Sequence, residues 1–352
     1  MKLEEYIAQI RSADKVAMAA AQGRWNAIAK PLGSLGELEN AVIRIAGMTG
    51  NADVDLSRRA VIVMCADNGV VRQGVTQTGQ EVTAIVTENM GRGTSNVCRM
   101  SRVARADVYP VDIGVAVPVS GQKIIQSCVR RGTADFTEGP AMTRKEAEQA
   151  VITGIRLVED MKKRGYGLLA TGEMGIGNTT TSAAVTAALL DREPAQVAGR
   201  GAGLSSEGLR RKIHAIERGI VQNKPDPDDV IDVLSKVGGL DIAGLCGVFL
   251  GGAVYRIPVL IDGFISSVAA LCAFRLCPAA ADYMLGSHAS AEPAGELVLN
   301  ALGMHPFVYA GMRLGEGTGA VAVMPLLDMA LAIYDGMDTF ADISVKAYEP
   351  LS

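Results

Sequence analysis

The chain has 352 residues, 49% of them hydrophobic and 20% charged, and this composition supports a large buried core and excludes disorder for most of the chain. The 34 Lys and Arg residues face 38 Asp and Glu, so the net charge is −4, without the basic excess of a nucleic-acid-binding protein. Aromatic residues make up only 4%, which argues against a base-stacking surface. The length predicts one large α/β domain and a smaller annex.

Cysteines, histidines and apolar segments give no sign of a metal centre, a disulfide framework or a membrane span. No two cysteines form a C-x-x-C pair, and the three histidines make no helical metal pair. We therefore predict buried thiols in a reducing cytoplasm, with no metal and no cofactor. The N-terminus lacks the apolar region of a signal peptide. Arg256, Pro258 and Asp262 interrupt the apolar segment 241–274, which predicts a helix, a buried strand and a second helix rather than a membrane span.

The first 50 residues predict two helices. Ser12 is expected to cap a helix that runs to about Lys30. Ser34 and Glu37 have the spacing of a capping box, in which each side chain satisfies a free backbone donor of the other residue. The helix that follows is expected to end near Gly50.

From about residue 59, strands alternate with helices. The segments RAVIVMCADNG, ADVYPVDIGV, GYGLLATGEMG and IPVLIDG are short, apolar and closed by glycine or a turn, so each predicts a buried strand. Thr143 and Glu146 form another capping box before a long helix that Gly165 ends. Nearly apolar strands that alternate with helices predict an α/β fold, a Rossmann-like parallel sheet flanked by helices on both faces.

The C-terminal segment 319–337 again predicts a helix, which Pro325 kinks or opens. From their order alone, the helices at the two ends of the chain are expected to pack together. The predicted organisation is a small helical domain of residues 1–30 plus 321–352 and a large α/β domain of residues 31–320.

The predicted strands end in polar or acidic residues beside glycine. Ligands of open α/β sheets bind outside the carboxyl ends of the strands, and glycine lets the backbone come close to a ligand. We therefore expect a shared ligand pocket, although each site taken alone could be a chain turn with a helix-capping acid. The segments concerned are 67–69, 112–114, 172–175 and 262–263, and the segments 287–288 and 315–317 join them if the apolar residues before each form a strand.

The segment 172–182 is dense in glycines and hydroxyl side chains, and it suits a monophosphate. It lies at a predicted helix N-terminus, where the helix dipole favours an anion, and it lacks both the Walker and the GxGxxG patterns. A second glycine cluster, 199–203, precedes a basic helix start in which Lys212 either pairs with a phosphate or is solvated. The predicted phosphate- and ribose-binding residues are Gly175, Gly177, Asn178, Thr179, Thr180, Gly201, Gly203, Lys212, Asp262 and Ser290.

Two carboxylates belong to this series. Glu316 lies between glycines just before an apolar helix, and Glu173 is the second residue of the segment 172–182. A carboxylate that faces a partly dry pocket has a raised pKa and can accept a proton near neutral pH. Both are therefore candidate catalytic residues; the alternative for Glu316 is a plain cap on the helix that follows.

The chain contains seven long and unusual strings: KPLGSLGELE (30–39), CADNGVVRQGVTQTGQEVT (65–83), TGEMGIGNTTTSAA (171–184), DVLSKVGGLD (232–241), LIDGFISSVAAL (260–271), SHASAEPAG (287–295) and RLGEGTGA (313–320). Together, in this order and over essentially the whole chain, they closely resemble the family of nicotinate-nucleotide–dimethylbenzimidazole phosphoribosyltransferases.

The resemblance implies transfer of the 5-phosphoribosyl group of nicotinate mononucleotide to 5,6-dimethylbenzimidazole, which gives α-ribazole 5′-phosphate and nicotinate for the lower ligand of cobalamin. It implies inversion at C1′ with Glu316 as the proton acceptor. It also matches Glu173 and Met174 to the family's G-E-x-G motif, and Lys212 to the lysine of the basic helix. The implied fold is a large parallel α/β domain with a small helical domain, in a homodimer whose partner subunit helps to close the active site.

Two departures from the family pattern concern the acceptor base. Asn68 stands where some members have histidine, and Thr78 stands where some have serine. The predicted base-binding residues are Thr78, Val86, Met174 and Leu314. A benzimidazole, a purine and a phenol all remain open as acceptors.

Two other functions stay open. Residues 227–231 superficially resemble the paired-acid loop of transferases that use phosphoribosyl pyrophosphate, although Asp226 and Pro227 predict a helix start and no Thr-Gly-Gly-Thr loop follows. A non-catalytic nucleotide- or base-binding protein could also have the same scaffold.

Overall fold

The structure is a computed structural model that describes residues 1–348, and its centre is a parallel sheet of six strands. The strands lie in the order β3-β2-β1-β4-β5-β6, so the sheet is doubly wound: the chain adds strands toward one edge up to β3 and toward the other edge from β4 onward. The bounds are β1 Arg59–Ala66, β2 Ala106–Gly114, β3 Ile125–Gln126, β4 Leu168–Met174, β5 Val259–Ile261 and β6 Met284–Gly286.

Helices connect the strands and cover the sheet. Every residue of β1 is buried, as the central strand of a sheet covered on both faces must be. The helices are α1 Leu3–Ile7, α2 Lys15–Ala27, α3 Glu37–Thr49, α4 Glu81–Gly91, α5 Asn96–Val103, α6 Arg144–Lys163, α7 Asn178–Leu190, α8 Pro194–Val197, α9 Ser206–Asn223, α10 Val230–Val237, α11 Leu240–Tyr255, α12 Phe264–Leu276, α13 Gly295–Ala301 and α14 Thr318–Gly336, with 3₁₀ helices at Gly69–Gln73 and Pro278–Tyr283.

This architecture confirms the predicted α/β fold with a Rossmann-like parallel sheet. The segment 241–274 forms α11, β5 and α12, as its interrupted apolar pattern predicts. Of the described helices, α14 has the length and mean hydropathy of a membrane span. Core helices of water-soluble proteins share these properties, and α14 packs on β4, α3 and α5.

Helix starts were harder to predict than strands. The capping box at Thr143 is confirmed, because its hydroxyl accepts from the Glu146 N–H at 3.2 Å and the Glu146 carboxylate accepts from the Thr143 N–H at 2.8 Å. The cap at Ser12 is wrong: Asp14 caps α2. The capping box at Ser34 is also wrong, since α3 begins after Gly36, whose positive φ places the turn two residues later.

The two ends of the chain meet. The rings of Trp25 in α2 and Tyr334 in α14 lie 5.0 Å apart, and Arg24 donates to Asp335 at 2.7 Å. Ile28 also forms an antiparallel bridge with Thr339. The division into a helical and an α/β domain stays a prediction, and residues 349–352 of the predicted small domain lie outside the described residues.

Helices α6 and α11 touch along their backbones. A Cβ on Gly154 of α6 would overlap the carbonyl oxygen of Gly244, and one on Gly247 of α11 would overlap the carbonyl oxygen of Val151. Backbone atoms on rigid helices cannot yield as a flexible side chain can. These glycines therefore set the distance between the two helices.

We expect Gly154→Val to lower the free energy of unfolding by at least about 2 kcal/mol, because overpacking a tight core forces backbone shifts. Urea denaturation measures the effect. The matched control is Gly23→Ala in α2, where an added Cβ has open space, and there we expect a gain of about 0.5–1 kcal/mol. Equal stability of Gly154→Val and the wild type would contradict the packing described above.

Candidate active site

A cavity of about 210 Å³ opens at the carboxyl ends of β4, β5 and β6. It is lined by residues 173–176, the start of α7, the 201–202 loop, the segment 262–266, three residues after β6 and the turn 313–316. Parallel pairing sets this arrangement: Met64 of β1 lies opposite Glu173 in β4, and Cys65 lies opposite Asp112 in β2. The strand ends therefore meet at one edge of the sheet.

The structure brings most of the predicted site residues to this cavity. Those that line it are Glu173, Met174, Gly175, Asn178, Thr179, Gly201, Asp262, Ser290, Leu314 and Glu316. Those outside its lining are Gly177, Thr180, Gly203, Lys212, Thr78 and Val86.

The Glu316 carboxylate bonds to the N-terminus of α5. Its Oε1 accepts from the Asn96 side-chain amide at 3.1 Å, and its Oε2 accepts from the Val97 N–H at 3.1 Å. Glu316 is buried and has φ of 61°, between two glycines that also have positive φ. It therefore does not cap α14, the helix that follows it, as the alternative reading of the sequence supposed.

Asp262 caps α14 instead. Its Oδ1 accepts from the N–H groups of Gly319 at 2.8 Å and Ala320 at 3.0 Å, and its Oδ2 accepts from the N–H of Gly317 at 3.1 Å. Glycine at 317 has no side chain with which to cap, so the carboxylate satisfies the free donors of the first turn. These bonds fix the turn that carries Glu316. A contact between Asp262 and a ribotide stays a prediction.

Glu173 is buried beside this turn. Its Oε2 accepts from the Asn178 amide, and Gly315 lies so close to Oε1 that a Cβ there would overlap it. Burial, followed by the negative charges of Asp241, Asp262 and Glu316, raises the pKa of Glu173 to about 8. At pH 7, Glu173 is therefore mostly a neutral carboxylic acid, which can lose its proton when a positive charge arrives.

The glycine-rich segment forms the opposite side of the cavity. Lys212 is fully buried behind it and donates to the Thr179 hydroxyl at 2.8 Å and to the carbonyl oxygen of Gly199 at 3.0 Å. Burial lowers the pKa of Lys212 to about 8, while the negative charge of Glu292 acts in the opposite direction. Because Lys212 is buried, it is not the solvated lysine that the sequence had left open as an alternative. An anion at Thr179 would lie beside this ammonium group.

Comparisons with known proteins show the family to which the chain belongs. The family model described as DBI_PRT phosphoribosyltransferase matches residues 10–345. The chain belongs to this family. It is 46% identical over 351 residues to the nicotinate-nucleotide–dimethylbenzimidazole phosphoribosyltransferase of Ruminiclostridium cellulolyticum, with complete coverage of both chains. It is 42% identical over 342 residues to the Escherichia coli enzyme of the same name, with 96% of this chain and 95% of that one covered.

Solved structures of the family have the same fold. The crystal structure of CobT from Thermus thermophilus superposes with a TM-score of 0.90 at 38% identity, and the match covers 95% of this chain and all of that one. A second structure from the same organism, of nicotinate-nucleotide–dimethylbenzimidazole phosphoribosyltransferase, gives a TM-score of 0.88. The fold and the family expected from the seven strings are confirmed.

Two predicted base-binding residues lie apart from the cavity lining. Thr78 is exposed in the loop before α4, and its carbonyl oxygen accepts from the Thr76 hydroxyl at 2.8 Å. Val86 is half-buried on α4 and packs against the core. Asn68 is buried between Gly175 and Gly239, and its side-chain nitrogen has no hydrogen-bond partner among the described residues. The roles of Thr78 and Val86 in base binding stay predictions.

Glu292 and Asn96 were not among the predicted site residues. His288 and Glu292 follow β6 and line the cavity, and Oε2 of Glu292 is buried with no hydrogen-bond partner within residues 1–348. The strand-end pattern already included His288, so extending it by four residues would have found Glu292. Asn96 gave no signal, because it lies 220 residues from Glu316 along the chain.

The raised pKa of Glu173 predicts a pH-dependent stability. The folded protein holds this proton up to about pH 8, whereas an ordinary glutamate loses it near 4.5. The native state thus binds more protons between these values, and its stability falls as the pH rises from about 4.5 to about 8. Glu173→Gln removes this contribution. The free energy of unfolding of the wild type, measured by urea denaturation, should therefore fall relative to that of the variant between pH 5 and pH 8.

The exposed residue Glu296 provides the control, since Glu296→Gln should leave the pH dependence of the wild type unchanged. Parallel stability curves for the wild type and Glu173→Gln would contradict a neutral Glu173.

Proposed function

We propose that the protein transfers the 5-phosphoribosyl group from nicotinate mononucleotide to 5,6-dimethylbenzimidazole or a related lower-ligand base, giving α-ribazole 5′-phosphate and nicotinate for the nucleotide loop of cobalamin. The observation that supports this most is a single cavity with a buried carboxylate, Glu316, and a glycine-rich helix start with a buried lysine behind it. A base and an anion-binding segment in one cavity are what a ribotide and a heterocycle require.

In this proposal Glu316 is the general base. One benzimidazole nitrogen attacks C1′ while Glu316 takes the proton from the other, which keeps positive charge from accumulating on the ring. The bond from C1′ to nicotinate breaks, and its electron pair returns to the pyridinium nitrogen, so no general acid is required. The acceptor enters opposite the leaving group, and the β-nucleotide becomes an α-nucleotide.

Glu173 is proposed to stabilise the positive charge of the reaction. The donor carries a cationic ring, and the ribosyl group becomes oxocarbenium-like as the bond breaks. Either charge lowers the pKa of a buried carboxylic acid. Glu173 would then release its proton to bulk water as the cationic donor binds, and would face the developing cation as a carboxylate.

The phosphate is proposed to lie against Gly175, Thr179 and Gly201. Gly201 has φ of 54°, and a Cβ there would come within 3.0 Å of the Thr179 hydroxyl, so the backbone can approach a ligand closely at this point. The charge of Lys212 supports the anion through Thr179. Anchoring the phosphate turns binding energy into orientation of C1′.

A homodimer in the cytoplasm, with a partner subunit that helps to close the cavity, belongs to the same proposal and rests on the resemblance to the family. So does the division into two domains. A solution mass equal to the 36.8 kDa of one chain would overturn the dimer.

The structure of residues 227–231, which resemble the paired-acid loop of transferases that use phosphoribosyl pyrophosphate, argues against this donor. Asp229 caps α10 through the Asp232 N–H at 3.0 Å and pairs with Arg144 at 2.6 Å. The segment 227–231 lies outside the cavity lining. The Asp229 carboxylate therefore has structural partners, and the helix begins at Val230 rather than at Pro227, where the sequence predicted it.

Product analysis tests the proposal. Mass spectrometry of mixtures that contain either donor and a panel of azole and phenol acceptors should find nicotinate and a ribotide of the acceptor only with nicotinate mononucleotide as donor, and α-ribazole 5′-phosphate when dimethylbenzimidazole is the acceptor. Calorimetric binding of both substrates without any product would instead support the non-catalytic alternative. The acceptor that gives the highest kcat/KM identifies the physiological base among those tested.

We expect Glu316→Gln to lower kcat at least about 10²-fold, because the amide cannot accept the proton. The fold should survive, since the change is nearly isosteric, and far-UV circular dichroism checks this. Glu296→Gln, at an exposed site, is the control that should keep wild-type turnover. Near-normal turnover of Glu316→Gln would remove Glu316 from the role.

A further inference from the structure

Glu316 and α5 satisfy each other's hydrogen bonds. The first turn of a helix has backbone N–H groups without an intrahelical partner. Ser95, the residue before α5, does not fill this need, because its hydroxyl donates to the Cys98 sulfur at 3.3 Å. The Glu316 carboxylate accepts from the first turn of α5 instead, one bond to each oxygen.

One of these two donors is a side chain that the helix itself does not need. Asn96 is exposed, whereas Val97 is buried in the core. Nothing in the packing of α5 requires an amide at residue 96, since the Val97 N–H is bonded to the carboxylate without it. The bond from Asn96 Nδ2 to Glu316 Oε1 therefore concerns the orientation of the carboxylate.

We propose that Asn96 is a positioning residue for Glu316: its amide holds Oε1, and the Val97 N–H holds Oε2, so that the carboxylate faces the acceptor base in one orientation and as an anion. This inference rests on the proposed role of Glu316 as general base. Asn96 lies outside the cavity lining and acts through Glu316 alone. Each carboxylate oxygen can accept more than one hydrogen bond, so the bonds to α5 leave room for the proton of the base.

The neutral amide is the important property of Asn96. Glu316 already faces titratable or charged groups from several elements, namely Glu173 from β4, Asp262 after β5, His288 after β6 and Arg313 from its own turn. An Asp at residue 96 would place a second carboxylate about where the amide now donates. Like charges this close disfavour ionisation of both groups.

Asn96→Asp should therefore shift the acid limb of the kcat–pH profile to higher pH by at least about 0.7 unit, the shift that two like charges 4 Å apart exert even in bulk water. Acidic residues are favourable in the first turn of a helix, so this variant should fold. Asn96→Ala should lower kcat about tenfold or more through misorientation, with KM for nicotinate mononucleotide changed less than about twofold.

A double-mutant cycle separates positioning from a structural effect. In the Glu316→Gln background, Asn96→Ala should cause no further loss of kcat, because the group through which it acts is gone. The proposal would be overturned if Asn96→Asp left the acid limb of the kcat–pH profile at the wild-type pH. It would also be overturned if Asn96→Ala lowered kcat by the same factor in the wild type and in Glu316→Gln.

A readout without turnover distinguishes this inference from the proposed function. In ¹³C NMR titrations of the glutamate carboxyl carbons, the signal missing from Glu316→Gln assigns Glu316, and Asn96→Asp should move its titration midpoint to higher pH. An unchanged midpoint would exclude the contact with Asn96. If the wild type makes no α-ribazole 5′-phosphate, the proposed function fails, and this titration still decides whether Asn96 controls the ionisation of Glu316.

Discussion

Two carboxylates that each bond to the N-terminus of a distant helix hold one side of the cavity together. Asp262, just after β5, bonds to the first turn of α14, and Glu316, just before α14, bonds to the first turn of α5. Both helix starts have free backbone donors, and both carboxylates need donors once they are buried. The two requirements satisfy each other, so one set of bonds fixes the sheet edge, the turn at Glu316 and α5 relative to one another.

The three carboxyl groups of Asp262, Glu316 and Glu173 differ in their hydrogen-bond partners. Both oxygens of Asp262 and Oε2 of Glu316 accept from backbone N–H groups, and Oε1 of Glu316 accepts from the Asn96 side-chain amide. Glu173 is buried, accepts from the Asn178 amide and is surrounded by the negative charges of other acids. Burial and these charges raise the pKa of Glu173 to about 8, so Glu173 holds a proton at neutral pH and can release it to balance an incoming cation. Across the cavity, α7 begins after Gly177, and Lys212 stands buried behind its first turn. The cavity thus has carboxyl groups on one side and a buried ammonium group behind the other, and the proposed roles in proton transfer and phosphate binding rest on this arrangement.

The sequence was sufficient for β1, β2, β4 and β5 and for most of the cavity, because buried parallel strands are apolar runs whose polar ends the topology must bring together. The two-residue strand β3 was missed, and the strand considered before residues 315–317 does not form. Local signals of helix starts were less reliable: the spacing at Thr143 was right, and that at Ser34 failed because Gly36 turns the chain later. Lys212 was ambiguous, since its burial depends on how α9 packs. The contact of Asn96 with Glu316 could not be predicted, because it depends on the packing of α5 against α14.

The most direct test of this account is a crystal structure of the protein with the product α-ribazole 5′-phosphate bound. The account predicts the phosphate against the first turn of α7 and an oxygen of Glu316 within about 2.6–3.2 Å of a benzimidazole ring nitrogen, the reach of a proton transfer. A product bound with its base remote from Glu316, or with its phosphate outside the glycine-rich segment, would contradict it.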